Sequence, residues 1–228
     1  MASPNIANKQ LISASNVTFE RSGQALLKDI NLSIASGMIT VLLGHNGAGK
    51  TLLMQVMHGL LMPSSGTISS IGRTGQKMVF QKPVMLRRPA GQYFDFICPD
   101  CPAHIKQDWF HKAGLTGRTA TPSRLLSGGE QQKLSLISVL ATQPKLLFLD
   151  EPCANLDFEA IDFVETELLA ARETGMTIIM SSHSRHQAQK LADYIILMRR
   201  GRIAEYAEKE TFFLSPESDA GKEYLSYS

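Results

Sequence analysis

Apolar residues in this chain fall into short runs separated by stretches of helical spacing, the rhythm of an α/β layered domain. Strands are predicted over residues 11–19, 30–34, 39–43, 67–71, 78–80, 146–149, 177–180 and 194–198. The run at 39–43 lacks alternation, so it reads as a strand covered on both faces. A helix is predicted over 50–61, ended by Pro63-Ser64-Ser65-Gly66. Another begins near Phe158, with Ile161, Val164, Leu168 and Ala171 along one face and Asp157 as its N-cap. Between about residues 83 and 126 the rhythm breaks. Prolines, the aromatics Tyr93, Phe94, Phe96, Trp109 and Phe110, and helix-like spacing predict a helical insertion between strands. No internal repeat, low-complexity tract or long heptad segment is present.

Composition narrows the class without naming it. The 228 residues suffice for one domain with a substantial core, and 43% hydrophobic with 19% charged residues is globular rather than disordered. A net charge of +2 gives no global argument for nucleic acid or an anionic membrane surface. The polar start Met1-Ala2-Ser3-Pro4-Asn5 reads as no secretory signal, and no apolar run approaches the ~18 residues of a membrane helix. The expectation is a soluble chain that docks onto something that is not. Three cysteines, an odd count, favour reduced thiols in a cytoplasmic protein. Cys98-Pro99-Asp100-Cys101 with His104 and His111 has the donors of a zinc site. One CxxC is a weak sign, so the adopted reading is a loop with two incidental thiols.

Chemistry concentrates at Gly44-His45-Asn46-Gly47-Ala48-Gly49-Lys50-Thr51, which fits GxxxxGK(S/T) between a strand and a helix. The glycines let successive N–H groups turn toward a β-phosphate, and the helix N-terminus favours an anion. Lys50 is expected to reach the β- and γ-phosphates and Thr51 to ligate Mg²⁺. At 146–151, four apolar residues lead to Asp150, suited to Mg²⁺, and Glu151, suited to polarise the attacking water. Leu126-Ser127-Gly128-Gly129-Glu130 is a second Gly-rich turn opening a helix, another anion-binding device. Two such devices in one chain point to an ATPase that closes around nucleotide with a second copy of itself.

The order phosphate loop, Gln81, Leu126 to Glu130, Leu149-Asp150-Glu151-Pro152, Ala154-Asn155-Leu156-Asp157, His183 resembles the ATP-binding subunit of ABC transporters over nearly the whole chain. The resemblance implies an α/β phosphate-loop NTPase fold with a RecA-like core, an antiparallel β subdomain and a helical subdomain. It implies one domain over 1–228, with core and β subdomain at about 1–82 and 139–228 and the helical subdomain at about 83–138. Gln81 is then the Q-loop residue, touching Mg²⁺ and the attacking water. Ser127, Gly128, Gly129 and Glu130 form the signature turn presented to ATP on the other subunit. Asp157 belongs to the loop crossing the dimer interface, and His183 is the switch histidine at the γ-phosphate. The implied ligands are ATP and Mg²⁺. The implied partners are a second copy, an integral membrane permease and, indirectly, an extracytoplasmic solute-binding protein, with no nucleic acid. The implied location is the cytoplasmic face of the cell membrane.

Departures from the family pattern are local. The adenine-stacking aromatic falls on Arg21, whose guanidinium can stack on a base, with Phe19 as the alternative. Leu52 replaces a common hydroxyl residue, and Cys153 stands where Thr, Ser or an aromatic is usual. The segment 78–88 and Met57-His58-Gly59-Leu60 are similar to ATPases of tungstate-type oxyanion importers, close to those for phosphate and polar amino acids. By the same resemblance Arg87, Arg88 and the apolar residues 93–97 lie where a permease helix is received; solvated charges over a local core are the alternative. A soluble ABC ATPase of DNA repair or translation is disfavoured, since neither a long coiled-coil insertion nor a second cassette is present.

Overall fold

A computed structural model of the chain describes residues 10–226. Two sheets form. The smaller is antiparallel, in the order β2 (Gln24–Ala35), β1 (Gln10–Arg21), β4 (Ser65–Ser69). The larger contains β3 (Ile39–Leu43), β5 (Gln76–Val79), β6 (Leu146–Leu149), β7 (Thr177–Ser181), β8 (Tyr194–Arg199) and β9 (Arg202–Glu208). Its order is β5-β6-β7-β3-β8-β9, parallel except for β9.

The unbroken apolar runs have a layered cause. Val41, Leu43, Leu147, Leu149, Ile178 and Met180 face one core, while Leu42, Leu146, Phe148, Ile179 and Ile196 face another. A strand buried on both faces has no polar position to alternate with. On the first face lie α4 (Gly128–Leu140), α5 (Phe158–Glu173), α6 (Arg185–Leu191) and α7 (Lys209–Leu214). On the second, α1 (Lys50–His58) and the antiparallel sheet close the core through Leu53, Met54, Val17 and Ile30. The helical insertion comprises α2 (Ala90–Ile97), α3 (Ala103–Lys112) and the start of α4. It has a third core in which the Phe94 and Phe110 rings meet at 5.7 Å. A last helix, α8 (Asp219–Ser226), follows α7.

Several boundaries differ from the sequence reading. Helix α1 stops three residues early because Gly59 takes the left-handed conformation (φ 81°) and its N–H closes onto Gln55 and Val56 carbonyls. Strand β2 begins at Gln24, drawn out by antiparallel pairing with β1. Strand β9 and helices α6, α7 and α8 were not anticipated. In β9 the most buried position is Glu205, which accepts from Glu217 N, Ser218 N and Ser218 Oγ, so the expected apolar mark is missing.

Candidate nucleotide site

Strand β3 is wholly buried and delivers the chain into the Gly44–Thr51 loop. The turn needs Gly44: φ is 139°, and a Cβ there would lie 2.4 Å from the Met198 carbonyl oxygen of β8. Ala48 O accepts from Gly201 N at 2.9 Å, and Gly201 O from Lys28 N at 2.8 Å, bracing the loop against the β8–β9 turn and, through it, β2. Helix α1 starts after Gly49 with no side-chain cap, leaving its first-turn donors for another anion. Lys50, only 6% exposed, donates to Gly44 O at 2.7 Å and His45 O at 3.3 Å. Burial pulls its pKa below the usual lysine value, opposed by the carboxylates of Glu151 and Asp150. Leu26, Asn46, Gly47, Ala48, Gly49, Lys50, Thr51, Leu52 and Glu151 line a cavity of about 260 Å³.

The end of β6 supplies the acid side. Thr51 Oγ1 donates to both oxygens of Asp150, at 2.9 and 2.8 Å. Ser181 Oγ donates to Asp150 Oδ1 at 2.7 Å and accepts from Glu151 N at 2.9 Å. That serine is a supporting residue the sequence reading did not single out; its place just before Ser182-His183 was the available signal. Glu151 adopts a left-handed backbone conformation, φ 46°, unusual for a non-glycine residue. The turn carries its carboxylate between two loops. Gln81 Nε2 donates to Oε2 at 2.8 Å, and His183 Nε2 contacts Oε1. Thr51, Asp150 and Gln81 are hard oxygen donors, the set that suits Mg²⁺ beside a nucleotide phosphate.

The structure thus gathers Gly44 to Thr51, Asp150, Glu151, Gln81 and His183. Arg21, Ser127, Gly128, Gly129, Glu130 and Asp157 do not line the phosphate-loop cavity. Ser127 caps α4 in a reciprocal box: its hydroxyl accepts from Glu130 N at 3.2 Å and Glu130 Oε2 accepts from Ser127 N at 2.8 Å. Glu130 also pairs with Arg118 at 3.0 Å, and the Ser127 N–H bond leads the causes that hold its carboxyl below the usual range. No atom lies within 4 Å of a Cβ built on Gly128, so packing inside this chain does not explain that glycine. Asp157 caps α5, accepting from Ala160 N at 2.8 Å. Arg21 is exposed, whereas Phe19 packs against the core.

A family profile described as ABC transporter matches residues 27–154, more than half of the chain. The chain belongs to the ABC transporter family. Members carrying this ATP-binding domain are ATPases, and this chain is one: an enzyme that binds and hydrolyses ATP. It is similar to the nickel import ATP-binding protein NikO of Rhodobacter capsulatus, 32% identical over 82% of this chain and 85% of that one. It is 31% identical to the tungstate uptake system ATP-binding protein TupC of Peptoclostridium acidaminophilum, over 85% of this chain and 97% of that one. Identity to NikO and TupC differs by one point, so the tungstate-type resemblance is not singled out. Among solved structures, cbiO1 of Clostridium perfringens superposes with a TM-score of 0.78 at 26% identity, covering 92% of this chain and 93% of that one. An ATP-binding subunit of an ABC transporter superposes at 0.85, with 20% identity over 95% and 99% of the two chains, a likeness of fold.

Two further sequence expectations meet this ABC fold differently. Tyr93 and Phe94 are buried in the insertion's own core, so the apolar segment 93–97 presents chiefly Phe96, 58% exposed, with the Arg88 guanidinium 5.6 Å above its ring. Cys98 is buried and hydrogen-bonded to Cys101, and burial followed by that neighbour pushes its thiol up to about 11. Among the described residues no group of three or more His, Cys, Asp or Glu side chains converges as metal ligands. Nor is any helix among them long and apolar enough to cross a membrane.

Proposed function

We propose that this chain is the ATP-hydrolysing subunit of an ABC importer, working as a homodimer beneath a separate membrane permease. The observation that carries the reading is the Glu151 carboxylate, held by Gln81 and His183 beside the phosphate loop. Lys50 and the first N–H groups of α1 hold the β- and γ-phosphates. Thr51, Asp150 and Gln81 would hold Mg²⁺, which when bound would supply positive charge against that developing on the phosphates. Glu151 accepts the proton of the attacking water, with Gln81 and His183 fixing the direction of its two oxygens. Ser127 and the backbone of Gly128 and Gly129 meet the γ-phosphate bound to the other copy. The open space above Gly128 supports that role, because close approach by a second molecule accounts for a glycine the chain itself does not need.

Asp157 and the neighbouring Phe158, 84% exposed at the start of α5, fall at the contact between copies in this reading. Arg21 stacks on adenine, since Phe19 is committed to the core. The cargo is proposed to be a small oxyanion such as tungstate or molybdate, supported by the TupC likeness along 97% of that protein. The NikO likeness keeps a metal cation as the second reading, with phosphate and polar amino acids behind both. A solute-binding protein outside the membrane delivers the cargo, and the chain sits on the cytoplasmic face.

Glu151→Gln tests the core of this. With MgATP the variant should sediment as a dimer and release phosphate at least about 10²-fold more slowly than the unmodified chain. A variant that stays monomeric at saturating MgATP, with or without its permease, overturns the proposal.

A further inference from the structure

The loops bearing Glu151 and His183 meet at one buried amide outside the reacting groups. Gln187 of α6 is 5% exposed. Its Oε1 accepts from Ser182 Oγ at 2.7 Å, and its Nε2 donates to Glu165 Oε1 of α5 at 3.3 Å. Its side chain also hydrogen-bonds Cys153, and its backbone N–H donates to Ser184 Oγ at 3.2 Å. Ser182 Oγ accepts in turn from Ser184 N at 3.0 Å. Ser182 and Ser184 flank His183, and Cys153 lies two residues beyond Glu151. Glu165, 3% exposed, is paired with Lys190 at 2.7 Å, which makes a carboxylate sustainable at that depth.

Only an amide satisfies all of these neighbours together. A hydrocarbon at 187 would strand the Ser182 hydroxyl and one Glu165 oxygen; a carboxylate there would face the carboxylate of Glu165. We infer that Gln187 is a positioning residue for ATP hydrolysis, setting the spacing of His183 and Glu151 through Ser182 and Cys153 with Glu165 as its anchor. The inference rests on the roles proposed above for Glu151 and His183. Gln187 does not line the phosphate-loop cavity, so its influence falls on the chemical step and not on nucleotide capture.

The test is steady-state MgATP hydrolysis by the full chain. Gln187→Leu should lower kcat about tenfold with KM for ATP within about twofold, and Gln187→Glu should be comparably slow. Exchanging the pair, Gln187→Glu with Glu165→Gln, keeps an acceptor for Ser182, restores one amide donor facing one carboxylate, and leaves the net charge beside Lys190 unchanged. It should return kcat to within about threefold of the starting protein, a recovery that loss of packing alone would not give. A wild-type kcat in Gln187→Leu, or a double variant no faster than Gln187→Glu, overturns the inference. Should Gln187→Leu fail to fold, the exchange pair decides. Glu151→Gln in the same assay separates the two readings. Normal turnover there removes the assigned base, whereas a dead Glu151→Gln with a failed exchange removes only the role of Gln187.

Discussion

The side-chain amide of Gln81 donates to Glu151 Oε2 at 2.8 Å, tying the segment after β5 to the end of β6 at the proposed base. One amide therefore joins the insertion side of the fold to the carboxylate proposed to act on water.

Removing either orienting group should slow chemistry more than binding. Gln81→Ala and His183→Ala are each expected to lower kcat by about 10² while leaving ATP affinity within a few-fold. Phosphate release against fluorescent-nucleotide titration checks this; equal losses in both quantities would assign the two residues to binding instead.

Ser181 serves two partners that have few alternatives. Ser181→Ala leaves Asp150 Oδ1 and the Glu151 N–H each short of a bond, so stability should fall by about 1–3 kcal/mol. The urea unfolding midpoint measures it. Retained stability would mean that water takes over both contacts.

Two thiols should be slow to alkylate. Cys98 and Cys153 are each pushed up to about 11, Cys153 chiefly by burial, so near pH 8 only on the order of a thousandth of each is thiolate. Mass-resolved maleimide labelling should climb at both positions as pH rises toward 11. The sign for stability is negative. An unfolded thiol ionises near 9.0 before the folded one does, so protection against unfolding declines as pH rises above that value. A Cys153 that labels rapidly at neutral pH would contradict its burial.

The surface around Arg88 and Phe96 gives a prediction about assembly. Val84, 75% exposed, adds apolar area near the same segment. Arg87→Glu with Arg88→Glu should weaken co-purification with the permease and leave ATP binding intact, since neither residue lines the phosphate-loop cavity. Unchanged co-purification would reassign these arginines to solvated charge over a local core.

Legibility in the sequence followed burial. Strands β3 and β6 begin and end where the apolar runs do, because both faces of each are covered and their single polar residue, Thr40, is itself buried. Asp157 as the N-cap of α5 was equally readable, one side chain answering one backbone donor. Strand β9 was hidden by Glu205, a carboxylate satisfied by backbone and hydroxyl donors from a segment ten or more residues away. At the site, motif spacing carried Lys50, Thr51, Asp150 and Glu151. The left-handed turn at Glu151 and the double use of Ser181 depend on strands meeting in space, and the place of Ser181 just before Ser182-His183 was the one local hint. The apolar stretch 93–97 divides between a local core, which takes Tyr93 and Phe94, and the surface, where Phe96 is exposed, and hydrophobicity alone does not say which ring goes where.

The neighbours of β3 have a consequence for synthesis. This strand aims the phosphate loop, yet it is hydrogen-bonded between β7 and β8, which are translated more than a hundred residues later. A nascent chain emerging from the ribosome carries the whole Gly44–Thr51 motif early but no sheet to seat it. Truncated products that end before Thr177 should be blind to ATP, and a growing chain leaves both edges of β3 unpaired until β7 and β8 have cleared the exit tunnel.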